Sequence, residues 1–436
     1  MAMTLRISWI ATQPAEPPRR SRLLAVLATV GLLLSGFASA GGETGSPAGD
    51  ANWVGTWAAV PTATPATSTP VLDNETIRQV IHTSVAGSEL RLRLTNEFGT
   101  QALRIGEVHV ARRAGGTGTN IVPSTDRAVT FSGMRSPTIP AGSPMLSDPV
   151  RLPVPARTDL VVSIYVPAPT PVTTLHAFAN SGNVIAAGDV ADDTAVTGRT
   201  VGQWFFLSTV SVRADRSADA VIALGDSITD GSTAAADTNR RWPDLLANRL
   251  RDTGMLNLGV AGNRLLHDPN PPPGSDAQNF AAFFGVAALS RFDRDVAAQP
   301  GARYVIVLLG VNDLGHPGTV APPSETVSAE EIIAAHEQLV TRAHAEGLKI
   351  FGATILPFKD DTLGFYSEAN EAKRQKINRW IRTSGEYDAV IDWDKVMRDP
   401  ADPLRLNPAY DSGDHLHPNE TGNAAMTAAV PLRLFH

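Results

Sequence analysis

Cysteine is absent from the chain. That removes disulfides, thiolate nucleophiles, cysteine-ligated zinc, iron–sulfur clusters and a lipidated N-terminal cysteine together, so any nucleophile must be an oxygen or a nitrogen. Positive charge is also in short supply, with 37 Lys+Arg against 44 Asp+Glu and a formal net charge of −7. Without a net positive field to draw in phosphates, nucleic acid is not an expected partner. An apolar run able to span a bilayer is lacking too: Leu23 to Leu34 falls short of the ~20 residues required and contains Gly31. What is present is an ordinary globular balance, 43% hydrophobic and 19% charged, over 436 residues. That length corresponds to about three domains at roughly 150 residues each, and the balance supports a sizeable core.

Arg19, Arg20 and Arg22 precede the apolar run, and Ala38-Ser39-Ala40 follows it as an A-x-A site. Residues 1–40 therefore read as a secretory signal peptide cleaved near Ala40, which predicts an extracellular or periplasmic protein with no stable membrane anchor. The paired arginines match a twin-arginine signal only loosely and do not select an export route. Residues 41–51 are small, polar and glycine-rich, the chemistry of a flexible linker. From 52 to 212 short alternating runs recur: Leu90 to Leu94, Val108 to Val110, Val129 to Phe131, Leu160 to Val166 and Thr209 to Val212. Period-two alternation punctuated by proline and glycine predicts a β-sandwich of jelly-roll type. The texture changes across 213–219, and from there to 436 apolar strands alternate with helical stretches. Strands are expected at Ala220–Leu224, Arg303–Leu309, Lys349–Ile355 and Ala389–Ile391, and helices at Trp242–Leu250, Ala329–Ala345 and Glu368–Thr383. That pattern predicts an α/β domain, a parallel sheet covered by helices.

The sharpest chemical signal is Gly225-Asp226-Ser227-Ile228-Thr229-Asp230-Gly231, directly after the first of those strands. A serine there projects its hydroxyl from the C-terminal edge of the sheet, where α/β proteins place their ligands, and gains the positive end of a helix dipole. Thr229 occupies the place of the second glycine of the G-x-S-x-G elbow, so the segment is not that motif. Taken alone, Ser227 could equally be a helix cap. Three more blocks follow in order: Asn257-Leu-Gly-Val-Ala-Gly262-Asn263, Gly310-Val-Asn312-Asp313, and Asp411-Ser-Gly-Asp414-His415-Leu-His417-Pro418.

Together the four blocks closely resemble the SGNH (GDSL-type) hydrolase family of serine esterases and lipases, over residues 218 to 436. Arg241-Trp-Pro-Asp244, Leu258 to Leu265 and Asp392-Trp-Asp394 look most like its arylesterase and acylhydrolase branch linked to plant-polysaccharide breakdown. The resemblance implies a flavodoxin-like three-layer α/β/α domain. It also implies Ser227 as nucleophile, His417 as general base and Asp414 as the carboxylate that orients the imidazolium, with an oxyanion hole made by the Ser227 N–H, the Gly262 N–H and the Asn312 side-chain amide. The chemistry agrees: a serine hydroxyl needs a neutral imidazole to take its proton, and that imidazole needs a carboxylate to set its tautomer. Asp414 and His417 stand three residues apart, so one turn can present both. Gly259 is an alternative donor to Gly262, and His415 is the rival base, although the D-x-x-H spacing selects His417. Asp226 and Asp313 read as holders of loop geometry or as surface caps, and Trp242 as a core anchor for its helix.

Other patterns break off. His336-Glu337-Gln338-Leu339-Val340 starts like H-E-x-x-H but puts valine at the second ligand position. No catalytic metal and no cofactor are expected. Gly116-Thr-Gly118 lacks the third glycine of a dinucleotide fingerprint and reads as a turn. Asp293 and Asp295 read as part of a solvated helix face. His267 to Gly274 and Asp313 to Ser324 follow the oxyanion blocks and should overhang the pocket, the first stiffened into a formed rim by its prolines. The expected partner is a small-molecule or polysaccharide-linked ester, with glycan binding or shaping of the substrate entrance as the sandwich's job. A secreted binding protein with a catalytically silent C-terminal domain is the rival reading. A histidine base predicts activity rising through roughly pH 6 to 8.

Overall fold

The computed structural model describes residues 52–436; the expected signal peptide over 1–40 and linker over 41–51 lie outside them. Antiparallel pairing runs from Trp53 to Arg213. One sheet has four strands, in the order Trp53–Ala58, Leu207–Arg213, Leu90–Thr95 and Pro144–Leu146. A second has six: Arg199–Val201, Asn183–Ala187, Glu75–His82, Asp159–Val166, Glu107–Arg112 and Arg127–Ala128; three smaller sheets of two or three strands accompany them, one holding Thr174–His176 between Trp204–Phe205 and Thr62–Ala63. Alternation sets the faces. Leu90, Leu92 and Leu94 share a core with Leu160, Val162 and Ile164 of the second sheet, whereas Val161 joins Val80, Ala111 and Ile121 in a separate cluster. The two sheets thus bury one apolar face against each other.

Two departures from the sequence reading have local causes. Val129–Phe131 is not a strand; the ladder ends at Ala128 with one further bond, Val129 N–H on Val108 O at 2.8 Å, because the chain turns through Ser132 and Gly133, both at positive φ, and pairs Phe131 back on Met134. Glu75–His82 is a central strand that alternation does not reveal, since Thr76 to Ile81 are all buried. Its polar members find backbone partners inside: Arg78 Nη2 donates to Val190 O at 2.9 Å, and Gln79 Nε2 donates to Phe205 O at 3.0 Å.

Parallel pairing begins at Asp219. Five strands lie in the order Thr253–Gly259, Asp219–Gly225, Ala302–Leu308, Lys349–Ala353 and Ala389–Ile391. In chain order this is 2-1-3-4-5, the flavodoxin-like doubly wound arrangement. Alternate residues face opposite helical layers. Ile222, Leu224, Val305 and Val307 pack with Ile332, Leu339 and Ile377, while Val221, Ala223, Tyr304 and Ile306 pack with Trp242, Trp393 and Met426. Ala329–Ala345 starts on a capping box of Ser328 and Glu331 and is followed by Gly347 at φ +71. Trp242–Ala247 ends before Leu250, because its last turn tightens, with Arg249 N–H on Leu246 O at 2.9 Å.

The edge strand Thr253–Gly259 is covered by the sandwich. Gly55 N–H donates to Pro300 O at 2.8 Å, and Met255 N–H to Ser84 Oγ at 2.8 Å. A Cβ on Gly254 would fall 2.0 Å from Gly55 O, so this crossing requires glycine. One continuous apolar cluster runs from Val54 through Leu256 to Leu339. No helix among the described residues is long and apolar enough to cross a membrane.

Candidate active site

Ser227 is the first residue of the short helix Ser227–Asp230, directly after the strand Asp219–Gly225. Asn312 lies in the short helix Val311–Gly315 that follows Ala302–Leu308. These are the first and third strands of the sheet, whose connections diverge, so the crevice between their C-terminal ends is the topological switch point. Gly262 turns the chain just beyond Thr253–Gly259. Asp414 and His417 sit on a tight loop closed by the Asp411–Pro418 bridge and by Ser412 N–H on His417 O at 3.0 Å. Thr233 Oγ1 donates to Pro418 O at 2.6 Å and ties that loop to the serine turn.

The structure brings the three predicted side chains into one line. His417 Nε2 is 2.8 Å from Ser227 Oγ, and His417 Nδ1 is 2.6 Å from Asp414 Oδ2. The second Asp414 oxygen accepts from His417 N–H at 2.8 Å, Leu416 N–H at 3.0 Å and Ser412 Oγ–H at 2.9 Å. Burial works against ionisation, but the His417 side chain and these N–H groups outweigh it and hold the Asp414 carboxyl well below the ordinary range. With Asp414 acting only as acceptor, Nδ1 carries the ring proton and Nε2 is left to receive one from Ser227. His415 takes no part: it lies at φ +62, half exposed, and turns its ring to Asp411.

The three predicted donors lie just beyond the C-terminal ends of three adjacent strands of the sheet. Among the described residues, neither the Ser227 N–H nor the Gly262 N–H has an acceptor. Asn312 Nδ2 spends one hydrogen on Asn263 O at 2.9 Å and keeps the other. The Gly259 N–H, by contrast, is taken by Asn257 Oδ1 at 3.0 Å. Gly262 sits at φ +75, and a Cβ there would come within 2.1 Å of the Phe284 ring. Glycine is therefore required both for the turn and for the close approach.

Two buried carboxyls flank the site. Asp226 Oδ1 caps Ile228 N–H at 3.0 Å, while its other oxygen has no partner among the described residues. Burial pushes this carboxyl up to about 7, against the pull of Ile228 N–H and His417 and with a further push from Asp313. Asp313 accepts the N–H groups of Leu265 at 2.8 Å and Leu266 at 3.0 Å, and burial raises it despite those bonds. Both hold loop geometry as predicted; neither is a surface cap, since both are buried. Trp242 is fully buried and meets Trp393 edge-on at 4.9 Å. The two loops expected to overhang the pocket are tied to each other at Glu325, next to Ser324; the Glu325 carboxylate accepts from Arg264 Nη1 and Asn270 Nδ2, both at 2.5 Å. Burial opposes its ionisation, but Asn270 and Arg264 together lower the Glu325 carboxyl.

Some side chains differ from the sequence reading or were missed by it. Asp295 is buried, with Oδ1 accepting from Arg294 Nε at 2.7 Å; only Asp293 is exposed, beside Arg342. The chain takes one wide π-turn over Asp293–Ala297, which carries Asp295 inward. Its partner Arg291, also fully buried, donates to Asn263 Oδ1 at 3.0 Å and to Leu258 O at 3.1 Å, bracing the Gly262 turn. The i, i+4 spacing of Arg291 and Asp295 was the available signal. His316, between Phe284 and Phe365, is lowered to about 3 by burial and by Arg264, so it stays neutral. His336 bonds the Tyr387 hydroxyl at 2.6 Å within the core while Glu337 is exposed, so the two do not face one site. Gly116 and Gly118 lie in a bend between Arg113 and Ile121.

Residues 223–425 match the model of the GDSL-like lipase/acylhydrolase family. Among solved structures, a GDSL-like lipase from Bacteroides thetaiotaomicron is similar at 19% identity, over 48% of this chain and 85% of that one, with a TM-score of 0.35. The aryl esterase of M. smegmatis is similar at 16% identity, over 48% and 95%, with a TM-score of 0.36. Est24, a carbohydrate acetylesterase from Sinorhizobium meliloti, is similar at 16% identity, over 48% and 95%, with a TM-score of 0.35. No curated protein matches the chain.

Proposed function

From the premise that residues 223–425 belong to the GDSL-like lipase/acylhydrolase family, which makes the chain a carboxylic ester hydrolase, we propose that it works through an acyl-enzyme on Ser227. The observation that carries this reading is the run of hydrogen bonds from Ser227 Oγ through His417 to Asp414, at 2.8 and 2.6 Å. His417 Nε2 takes the hydroxyl proton as Oγ attacks the ester carbonyl. The oxyanion receives the Ser227 and Gly262 N–H groups and the free hydrogen of Asn312 Nδ2. The tetrahedral adduct collapses, with His417 passing the proton to the departing alkoxide oxygen. A water then enters, gives its proton to Nε2, attacks the acyl carbon and releases the carboxylic acid, returning Ser227 to its hydroxyl form. Asp414 keeps its negative charge throughout and stabilises the transient imidazolium.

The substrate we propose is a carbohydrate, aryl or short-chain lipid ester, met outside the cytoplasm after removal of residues 1–40. The pinned rim supports a pocket of set size over a mobile lid. Turnover of p-nitrophenyl acetate by the purified chain beside Ser227→Ala tests the mechanism; equal rates would remove it. Comparing acyl chains of increasing length with acetylated xylan tests the substrate class. Glycan binding by the sandwich is a separate proposal. Retention of the full chain on insoluble xylan or pectin would support it, and no retention on either would dismiss it.

A further inference from the structure

Two side chains of the sandwich grip the turn that carries Ser227. Asn180 Nδ2 donates to Gly231 O at 2.7 Å, and His176 Nε2 lies 3.0 Å from Asp230 Oδ1. His176 and Asp230 are almost wholly buried, at 3% and 2% exposure, so water does not supply the alternative partners. The ring's other nitrogen faces Val60 O at 2.9 Å. A carbonyl can only accept, so Nδ1 carries a proton, and one more proton lies between Nε2 and Oδ1 whichever of the two atoms holds it. Trp204 packs beside the imidazole at 5.6 Å and closes that side.

The second oxygen of Asp230 is aimed at the site. Oδ2 accepts the Ala261 N–H at 2.9 Å, and Ala261 immediately precedes Gly262. Asp230 itself ends the helical turn that Ser227 begins. One carboxylate therefore joins the turn that offers the first oxyanion donor to the turn that offers the second. Its orientation is set from the far side by a residue of the other domain. Without that grip the carboxylate can rotate about its side-chain torsions and release Ala261. A displacement of about 1 Å in a catalytic donor costs on the order of a hundredfold in rate.

We propose that His176 is a positioning residue for the oxyanion hole, acting through Asp230 to hold the Ala261–Gly262 turn in register with Ser227. The sandwich is then a working part of the catalytic centre. This rests on the ester-hydrolase mechanism above and adds a residue to it from outside the family-matched segment.

Two near-isosteric variants of the full chain divide the two bonds of the ring. His176→Asn places its amide near Nδ1, keeping Val60 O and losing Asp230; His176→Gln places its amide near Nε2, keeping Asp230 and losing Val60 O. On p-nitrophenyl acetate, His176→Asn is expected to lose about tenfold or more in kcat with KM within about twofold, and His176→Gln to stay within about threefold of wild type. A purely structural grip on Val60 predicts the reverse order. Asp230→Ala, which removes the acceptor of the Ala261 N–H outright, is expected to lose at least as much as His176→Asn, and the double variant to be no worse than Asp230→Ala alone, because both act on one N–H. If His176→Asn does not fold, Asp230→Ala carries the kcat comparison alone. Unchanged kcat in folded His176→Asn or Asp230→Ala, equal losses in the two His176 variants, or additive losses in the pair would each overturn the proposal. Ser227→Ala run alongside separates the two levels. Turnover independent of Ser227 overturns the mechanism and this inference together, whereas Ser227-dependent turnover that ignores His176 overturns this inference alone.

Discussion

Asp226→Asn should make the protein more stable in alkali while leaving its helix cap intact. The wild-type carboxyl stands one residue before the nucleophile, with one oxygen on Ile228 N–H and the other unpartnered among the described residues. Each tenfold change in proton affinity is worth about 1.4 kcal/mol. A carboxyl moved from 3.8 to about 7 therefore costs the native state about 4 kcal/mol once it ionises. The native pKa lies above the unfolded one, so the stabilisation is complete below about pH 4 and is lost as pH rises through 7. Asparagine caps a helix as well as aspartate does and has no proton to lose. Urea unfolding of both proteins at pH 5, 7 and 8.5 should show the wild type falling behind by about 3 kcal/mol across the series, the part of the loss that lies above pH 5, with the variant ahead at 8.5. Parallel curves would refute the burial argument. The same variant tests the base: activity rising through pH 6 to 8 should survive in Asp226→Asn if a histidine takes the proton. Loss of that rise would assign it to Asp226 instead.

Asn312→Ala should lower kcat about a hundredfold with KM nearly unmoved, since one oxyanion donor is worth about 3 kcal/mol; an equal rise in KM would place its role in ground-state binding. Asp414→Asn should reduce kcat about 10⁴-fold by offering Nδ1 the wrong partner, and a loss under tenfold would count against the triad. Gly262→Ala forces a side chain against Phe284 at φ +75 and should cut kcat at least tenfold on every ester tried; wild-type kcat would exclude that turn from the oxyanion hole. Glu325→Gln weakens the tie between the two rim loops and should broaden the acyl-length profile, measured from acetate to octanoate; an unchanged profile would show that the tie does not set pocket size.

Local order carried a great deal of this protein. The alternating runs, the strand before Ser227 and the D-x-x-H spacing are properties of neighbours in the chain, and period and spacing expose them directly. The helices Ala329–Ala345 and Glu368–Thr383 were legible for the same reason: caps, period and stop signal agree. The failures share a cause as well. Glu75–His82 is covered on both faces, so its alternation vanishes, and the π-turn that buries Asp295 leaves no mark on composition.

The amino-acid order by itself determined the class of both folds, the oxygen nucleophile and the residue types able to activate it. Only the folded chain decided that His417 comes within hydrogen-bond reach of Ser227, which glycine keeps a free N–H, and that His176, more than fifty residues before the serine, reaches the site at all. Those outcomes depend on distances of 3 Å between segments far apart in sequence, set by how two sheets pack, and hydrogen bonding at that range has no signature in the order of residues.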